Sequence, residues 1–256
     1  MKNVFLIPSF LILMLSSQLA WCTDKDVSIQ RHPVPVKVAF VLGEQAVPTD
    51  FAGPWDVFSS IHLPDEGQGM DARMPFQLYT VGAGTAAIRT TGNRHPGMAI
   101  TPDYSFDSAP EPDLIVVPAM DSAPGLVTWL QKMGGRDKTI VSICTGAFWV
   151  ARAGLLDGRT ATSHRGTLEG LARRYPKVKV VGGVRFVQDG RIYTSAGISA
   201  GIDLALHIVD QYYGRAVAQQ TADSLEYESD GWKRSAPAPQ SVNKQVNKQV
   251  NQQVNK

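Results

Sequence analysis

Apolar residues in this chain fall in short unbroken runs divided by polar turns, the pattern of strands buried on both faces rather than of half-exposed alternating strands. Lys37 to Leu42 is the first such run, and Phe76 to Val81, Met98 to Ile100, Asp113 to Val117 and Thr139 to Ile143 follow it. Segments with helical spacing lie between several of them, at Trp55 to Ile61, Gly125 to Met133 and Gly146 to Ala153, the last stopped by Gly154 where helices commonly end. Strand and helix in alternation predict a mostly parallel sheet covered on both faces.

Beyond Gly154 the pattern predicts a short strand at Thr160 to Ser163 and further strands at Val178 to Val181, Val184 to Gln188 and Arg191 to Thr194, with a hairpin at Asp189-Gly190. Ile202, Ala205, Leu206, Val209 and Tyr213 then recur at helical spacing, with Ser199 placed to cap that helix and Gly214 to end it. A second helix is expected from Ala216 to about Tyr227. The domain expected over residues 36–232 is of a size that one hydrophobic core serves.

The ends are different material. Lys2, an apolar run from Val4 to Leu15 and the polar Ser16-Ser17-Gln18 read as an export signal over residues 1–22, with Ala20 and Cys22 before the cut and a polar linker over 23–35. This points to an exported, periplasmic protein; a lipoprotein anchored through Cys22 is the weaker alternative, because Trp21 is a poor residue before a lipidated cysteine. The apolar run is too short for a stable membrane span. Residues 233–256, in which Val-Asn-Lys-Gln recurs from Val242 onward, have too little apolar surface to fold alone and are expected to be a disordered, low-complexity tail.

Charge changes the picture only by exclusion. The chain carries a formal +2, and the leader's only charged side chain is Lys2, so the remainder is near neutral. It has no basic run or zinc-finger spacing, which argues against a nucleic-acid partner. Scattered His32, His62, His95 and His207 show no metal-ligand spacing, and Gly82-Ala83-Gly84 is a turn rather than a dinucleotide fingerprint. No metal and no cofactor are expected.

Cys144 carries the candidate chemistry. It stands where a buried strand run gives way to a helix, the turn that exposes a nucleophile in α/β enzymes, and a helix N-terminus there is expected to lower its pKa. With Cys22 removed or lipidated it has no disulfide partner; the bland alternative is an inert core thiol. Asp50, in the loop after the first strand, is placed either to share a proton with Cys144 or to cap a helix beginning near Pro54, and spacing leaves the two readings even.

Three segments carry a family resemblance: Asp50-Phe51-Ala52-Gly53-Pro54-Trp55-Asp56-Val57-Phe58, Cys144-Thr145-Gly146-Ala147, and the run from Ala153 through Thr162-Ser163-His164. Together they resemble the ThiJ/PfpI superfamily, and within it isonitrile hydratase and the amidase-like domains of AraC-type regulators, whose last-helix motif is similar to Gly197-Ile198-Ser199-Ala200-Gly201-Ile202-Asp203. The resemblance implies a flavodoxin-like, class I glutamine amidotransferase-like α/β sandwich with a nucleophile elbow. It implies Cys144 as nucleophile, Asp50 as its acidic partner and Thr145 in the place where protease-like members have histidine, which argues against peptide hydrolysis. It also groups Gly53, Ala119, Met120 and His164 as substrate-binding or oxyanion positions.

Departures bear on the substrate. Pro118-Ala119-Met120 replaces the usual Pro-Gly-Gly, and His164-Arg165 the usual His-Trp, so Met120 is expected either to narrow the pocket or to move the oxyanion donor, and His164 is either a substrate contact or a structural group. The reading is an isonitrile-hydratase-like lyase acting on a small molecule through a thioimidate on Cys144. The alternatives are a glyoxalase- or deglycase-like enzyme on small carbonyls, and a non-catalytic ligand or redox sensor using Cys144. A homodimer is expected by analogy with the superfamily.

Overall fold

The computed structural model describes residues 35–63, 73–233 and 240–243. The leader reading of residues 1–22, nearly all of the linker and most of the tail lie outside these residues. Seven strands form the central sheet: β1 (Val36–Val41), β2 (Phe76–Gly82), β5 (Tyr104–Ser105), β6 (Leu114–Val117), β7 (Thr139–Ile143), β10 (Phe186–Asp189) and β11 (Ile192–Ser195). Their order is β10-β11-β7-β6-β1-β2-β5. All neighbours are parallel except β10 and β11, which form the hairpin expected at Asp189-Gly190.

Burial explains why these strands are continuous apolar runs. Ala39, Val41, Ile115, Val117 and Ile140 face a core shared with α2 (Leu126–Gly134), α3 (Ala147–Arg152) and α4 (Leu168–Arg174). Their neighbours Val38, Phe40, Leu114, Val116, Val141 and Ile143 face a second core shared with α1 (Pro48–Ser59), α5 (Ser199–Tyr213) and α6 (Arg215–Ser224). The sheet thus has no solvated face, and polar alternation along its strands would have been destabilising.

The chain passes from β1 to β2 on one side and later returns to β6 on the other. That reversal opens a crevice at the carboxyl ends of β1 and β6, where ligands bind in open α/β sheets. The loops after β1, β6 and β7 all end there.

Four local expectations are corrected. The first helix begins at Pro48, seven residues before Trp55, because a proline in the opening turn fits a helix start and Pro54 is accommodated inside it. Asp50 therefore lies in the first turn and is not a cap near Pro54. Met98 to Ile100 is not a strand of the main sheet: β4 (Ala99–Ile100) pairs only with β3 (Ile88–Arg89), and the edge strand is β5. Ser199 is the first residue of α5 rather than its cap, and Ile198 precedes it without a side-chain hydrogen bond to the helix.

A small three-stranded sheet stands apart: β8 (Thr160–Ala161), β9 (Lys179–Gly182) and β12 (Gln240–Ser241). In it, part of the repetitive tail is paired. Among the described residues no helix is long and apolar enough to cross a membrane.

Candidate active site

β7 is buried throughout and stops at Cys144, whose φ of 57° places it in the left-handed region. A cysteine there costs about 1–3 kcal/mol, so the surroundings must hold it. Its N–H donates to Ala196 O at 3.3 Å, and Ser163 Oγ donates to its carbonyl at 2.8 Å. Gly146 completes the elbow, since a Cβ at that position would collide with the Val117 carbonyl at the end of β6. The result is a sharp turn pinned from three strands, with Cys144 8% exposed.

Asp50 is brought to this turn by the opening of α1, and it is fully buried. Its Oδ2 accepts from the Ala119 N–H at 3.2 Å, while the Val47 N–H donates to Ala119 O at 2.9 Å, lacing the loop after β1 to the loop after β6. Its Oδ1 is buried and makes no hydrogen bond of ordinary geometry. The neighbours that act on this carboxyl are the Cys144 thiol, the Ile198 N–H and, through its charge, His164.

Electrostatics follow from burial. Desolvation pushes the Asp50 carboxyl above the usual carboxylate range, outweighing the Ala119 and Ile198 N–H groups that favour its charge. The Cys144 thiol is pushed up to about 11, first by burial and then by the Asp50 charge, with the Thr145 and Ile198 N–H groups opposing. This reverses the expectation of a lowered thiol pKa. The helix after the elbow has only six residues, entered through the 3₁₀ turn Cys144–Gly146, and the thiol's charged neighbour is an acid rather than a cation. Burial thus disfavours the charged form of thiol and carboxyl alike.

The remaining expected residues fall in different places. Thr145 is half-buried and turns its N–H toward the sulfur. The Ala119 N–H is taken by Asp50, so it serves the acid rather than an oxyanion. Met120 is buried, and its carbonyl accepts from Trp149 Nε1 at 3.3 Å. Gly53 lies where α1 meets α5: a Cβ there would stand 2.9 Å from Ile202 Cγ1, so this position serves helix packing. His164 accepts from the Gly166 N–H through Nδ1 at 3.2 Å, with its ring against Gly197, and Arg165 beside it is exposed. Among the described residues no group of three or more His, Cys, Asp or Glu side chains could hold a metal.

Sequence reasoning missed Ile198 and Ser163. Ile198 has φ 54° and ψ −105°, a genuine outlier for a β-branched residue, and its N–H leans on both the thiol and the carboxyl. No side-chain signal announces it, because the backbone does the work. Its position is set from α5: buried Asp203 pairs with Arg185 and accepts from Tyr227 OH at 3.1 Å and Ser229 Oγ at 3.2 Å. Arg185 Nη2 also donates to Ser199 Oγ at 3.3 Å, and Tyr227 OH to the Ser199 carbonyl at 3.3 Å. These contacts clasp the turn that presents the Ile198 N–H.

Comparison with known proteins agrees with this architecture. The isonitrile hydratase of Pseudomonas putida is 28% identical over 214 residues, covering 80% of either chain. The HTH-type transcriptional regulator CdhR of Pseudomonas aeruginosa is 36% identical over 134 residues, half of this chain but only 40% of the regulator. Among solved structures, a ThiJ/PfpI family protein from Pseudomonas syringae superposes with a TM-score of 0.64 at 23% identity, covering 83% of this chain and 85% of the other. The family model for DJ-1/PfpI matches residues 36–211, which hold the sheet, the elbow and Asp50. This chain belongs to the DJ-1/PfpI family.

Proposed function

We propose that the chain hydrates an isonitrile to an N-substituted formamide, using Cys144 as nucleophile and Asp50 as proton relay. The carrying observation is the fully buried Asp50 carboxyl beside the thiol, whose Oδ1 makes no hydrogen bond of ordinary geometry. Addition to an isonitrile places nucleophile and proton on the same carbon, so acid and thiol must act at one point. Asp50 takes the thiol proton as sulfur attacks the terminal carbon, and returns it to that carbon, leaving a neutral thioimidate. Asp50 then takes a proton from water as its oxygen adds to the same carbon, and passes that proton to the nitrogen. Collapse to the formamide expels the sulfur, and the hydroxyl proton returns through Asp50 to Cys144. Asp50 enters and leaves each step as the carboxylate, and burial makes that carboxylate a stronger base than an exposed one, which suits it to take a proton from a thiol. The Thr145 and Ile198 N–H groups support the sulfur as it takes up charge and when it leaves.

The leader reading extends this proposal to an exported enzyme, which N-terminal sequencing of protein recovered from the periplasm tests. A second reading is a non-catalytic ligand-binding module, which the similarity of half of this chain to a transcriptional regulator supports; a thiol held protonated at rest favours it. Purified protein offered alkyl and aryl isonitriles, methylglyoxal and simple amides separates the two. Formamide from isonitriles, lost in Cys144→Ala, supports the hydratase. Turnover of methylglyoxal alone, or binding without turnover, overturns it.

A further inference from the structure

The repetitive tail contains the unit that docks on β9. Gln240 and Ser241 pair antiparallel with Gly182 and Val181, and the next two residues fasten the contact. Val242 is buried, its Cγ2 lying 3.7 Å from where a Cβ on Gly182 would stand. Asn243 grips the strand with both ends of its amide, Oδ1 accepting from the Val180 N–H at 2.7 Å and Nδ2 donating to the Val178 carbonyl at 2.9 Å. The side chain of Ser241 is exposed.

What the groove reads is what the tail repeats. Val-Asn stands at 242–243, 246–247, 250–251 and 254–255 without change. The residue before each pair, whose side chain points to solvent in the docked unit, varies from Ser241 to Gln245, Gln249 and Gln253. A polar side chain of any of these sizes fits a solvent-facing position, whereas an amide with a donor and an acceptor fixed on two backbone groups admits little beyond asparagine.

We propose that the edge of β9 is a receptor for the Val-Asn unit, and that the tail of the same molecule occupies it in exchanging registers, with Val246–Asn247 and the units after it replacing Val242–Asn243. Each step of register lengthens the connection from Lys233 by four residues. The entropy of closing a slightly longer loop changes slowly, so one step costs no more than about twofold in occupancy. The own tail is favoured over that of a second copy because tethering holds it at an effective concentration in the millimolar range.

Hydrogen exchange at the Val180 amide of the full chain tests this, with the amides of β1 as an internal control that the domain is folded. Asn243→Ala is expected to lower Val180 protection by about twofold, as Asn247 takes the place of Asn243. Replacing Asn243, Asn247, Asn251 and Asn255 together by Ala is expected to lower it at least about tenfold, for two lost hydrogen bonds. The proposal is overturned if Asn243→Ala alone loses as much protection as the fourfold variant, or if the fourfold variant loses none. It is equally overturned if protection in Asn243→Ala rises with protein concentration, which would make a second copy the occupant.

Discussion

Asp50 and Cys144 are a poor arrangement for stability, and that separates a chemical role from a structural one. A carboxyl whose pKa is raised by folding contributes its full stability below the unfolded value near 4, and that stability is lost as pH rises through the folded value. Asp50→Asn keeps an acceptor for the Ala119 N–H and removes the charge, so its Tm is expected above that of the parent at pH 8, with the difference vanishing below pH 4. A lower Tm at pH 8 would return Asp50 to a packing role. The thiol gives a second test: with a pKa of about 11, Cys144 in the folded protein should react with iodoacetamide at pH 8 about a hundredfold more slowly than an ordinary thiol, and faster in Asp50→Asn. Ser163→Ala removes the hydroxyl that holds the Cys144 carbonyl and is expected to cost about 1 kcal/mol in denaturant unfolding.

Among the elements, α5 matters most to the site through its first turn. If the Asp203 clasp sets the Ile198 N–H, then Asp203→Asn should lower stability by about 1–3 kcal/mol and also move the alkylation profile of Cys144 to higher pH. A loss of stability with an unmoved profile would mean that the clasp holds only the Leu225 to Gly231 segment. These contacts show where sequence reading runs out. Cys144 was legible because a buried run ended at it, and Asp50 because it follows β1; the resemblance of the surrounding motifs joined the two. Ile198 was illegible because its contribution is a backbone N–H in a strained turn. The start of α1 was misread because Pro54 looked like a first-turn proline while Pro48 held that position.

For the molecule as a whole, the buried runs were enough to call for a parallel sheet between two helical layers, since no other packing hides both faces of such strands. They located β8 and β9 as strands and placed β4 in the wrong sheet, but carried no information about β3 or β12, or about the pairing of β9 with the tail, which joins residues far apart in the chain. The same parallel order sets the carboxyl ends of β1, β6 and β7 at one crevice, and so sets acid and thiol together. The most direct check on their joint action is the intact mass of protein quenched within a turnover of an alkyl isonitrile. An adduct of one isonitrile mass on the peptide holding Cys144, absent in Cys144→Ala together with formamide, is the expected result; formamide produced by Cys144→Ala at the parent rate would contradict it.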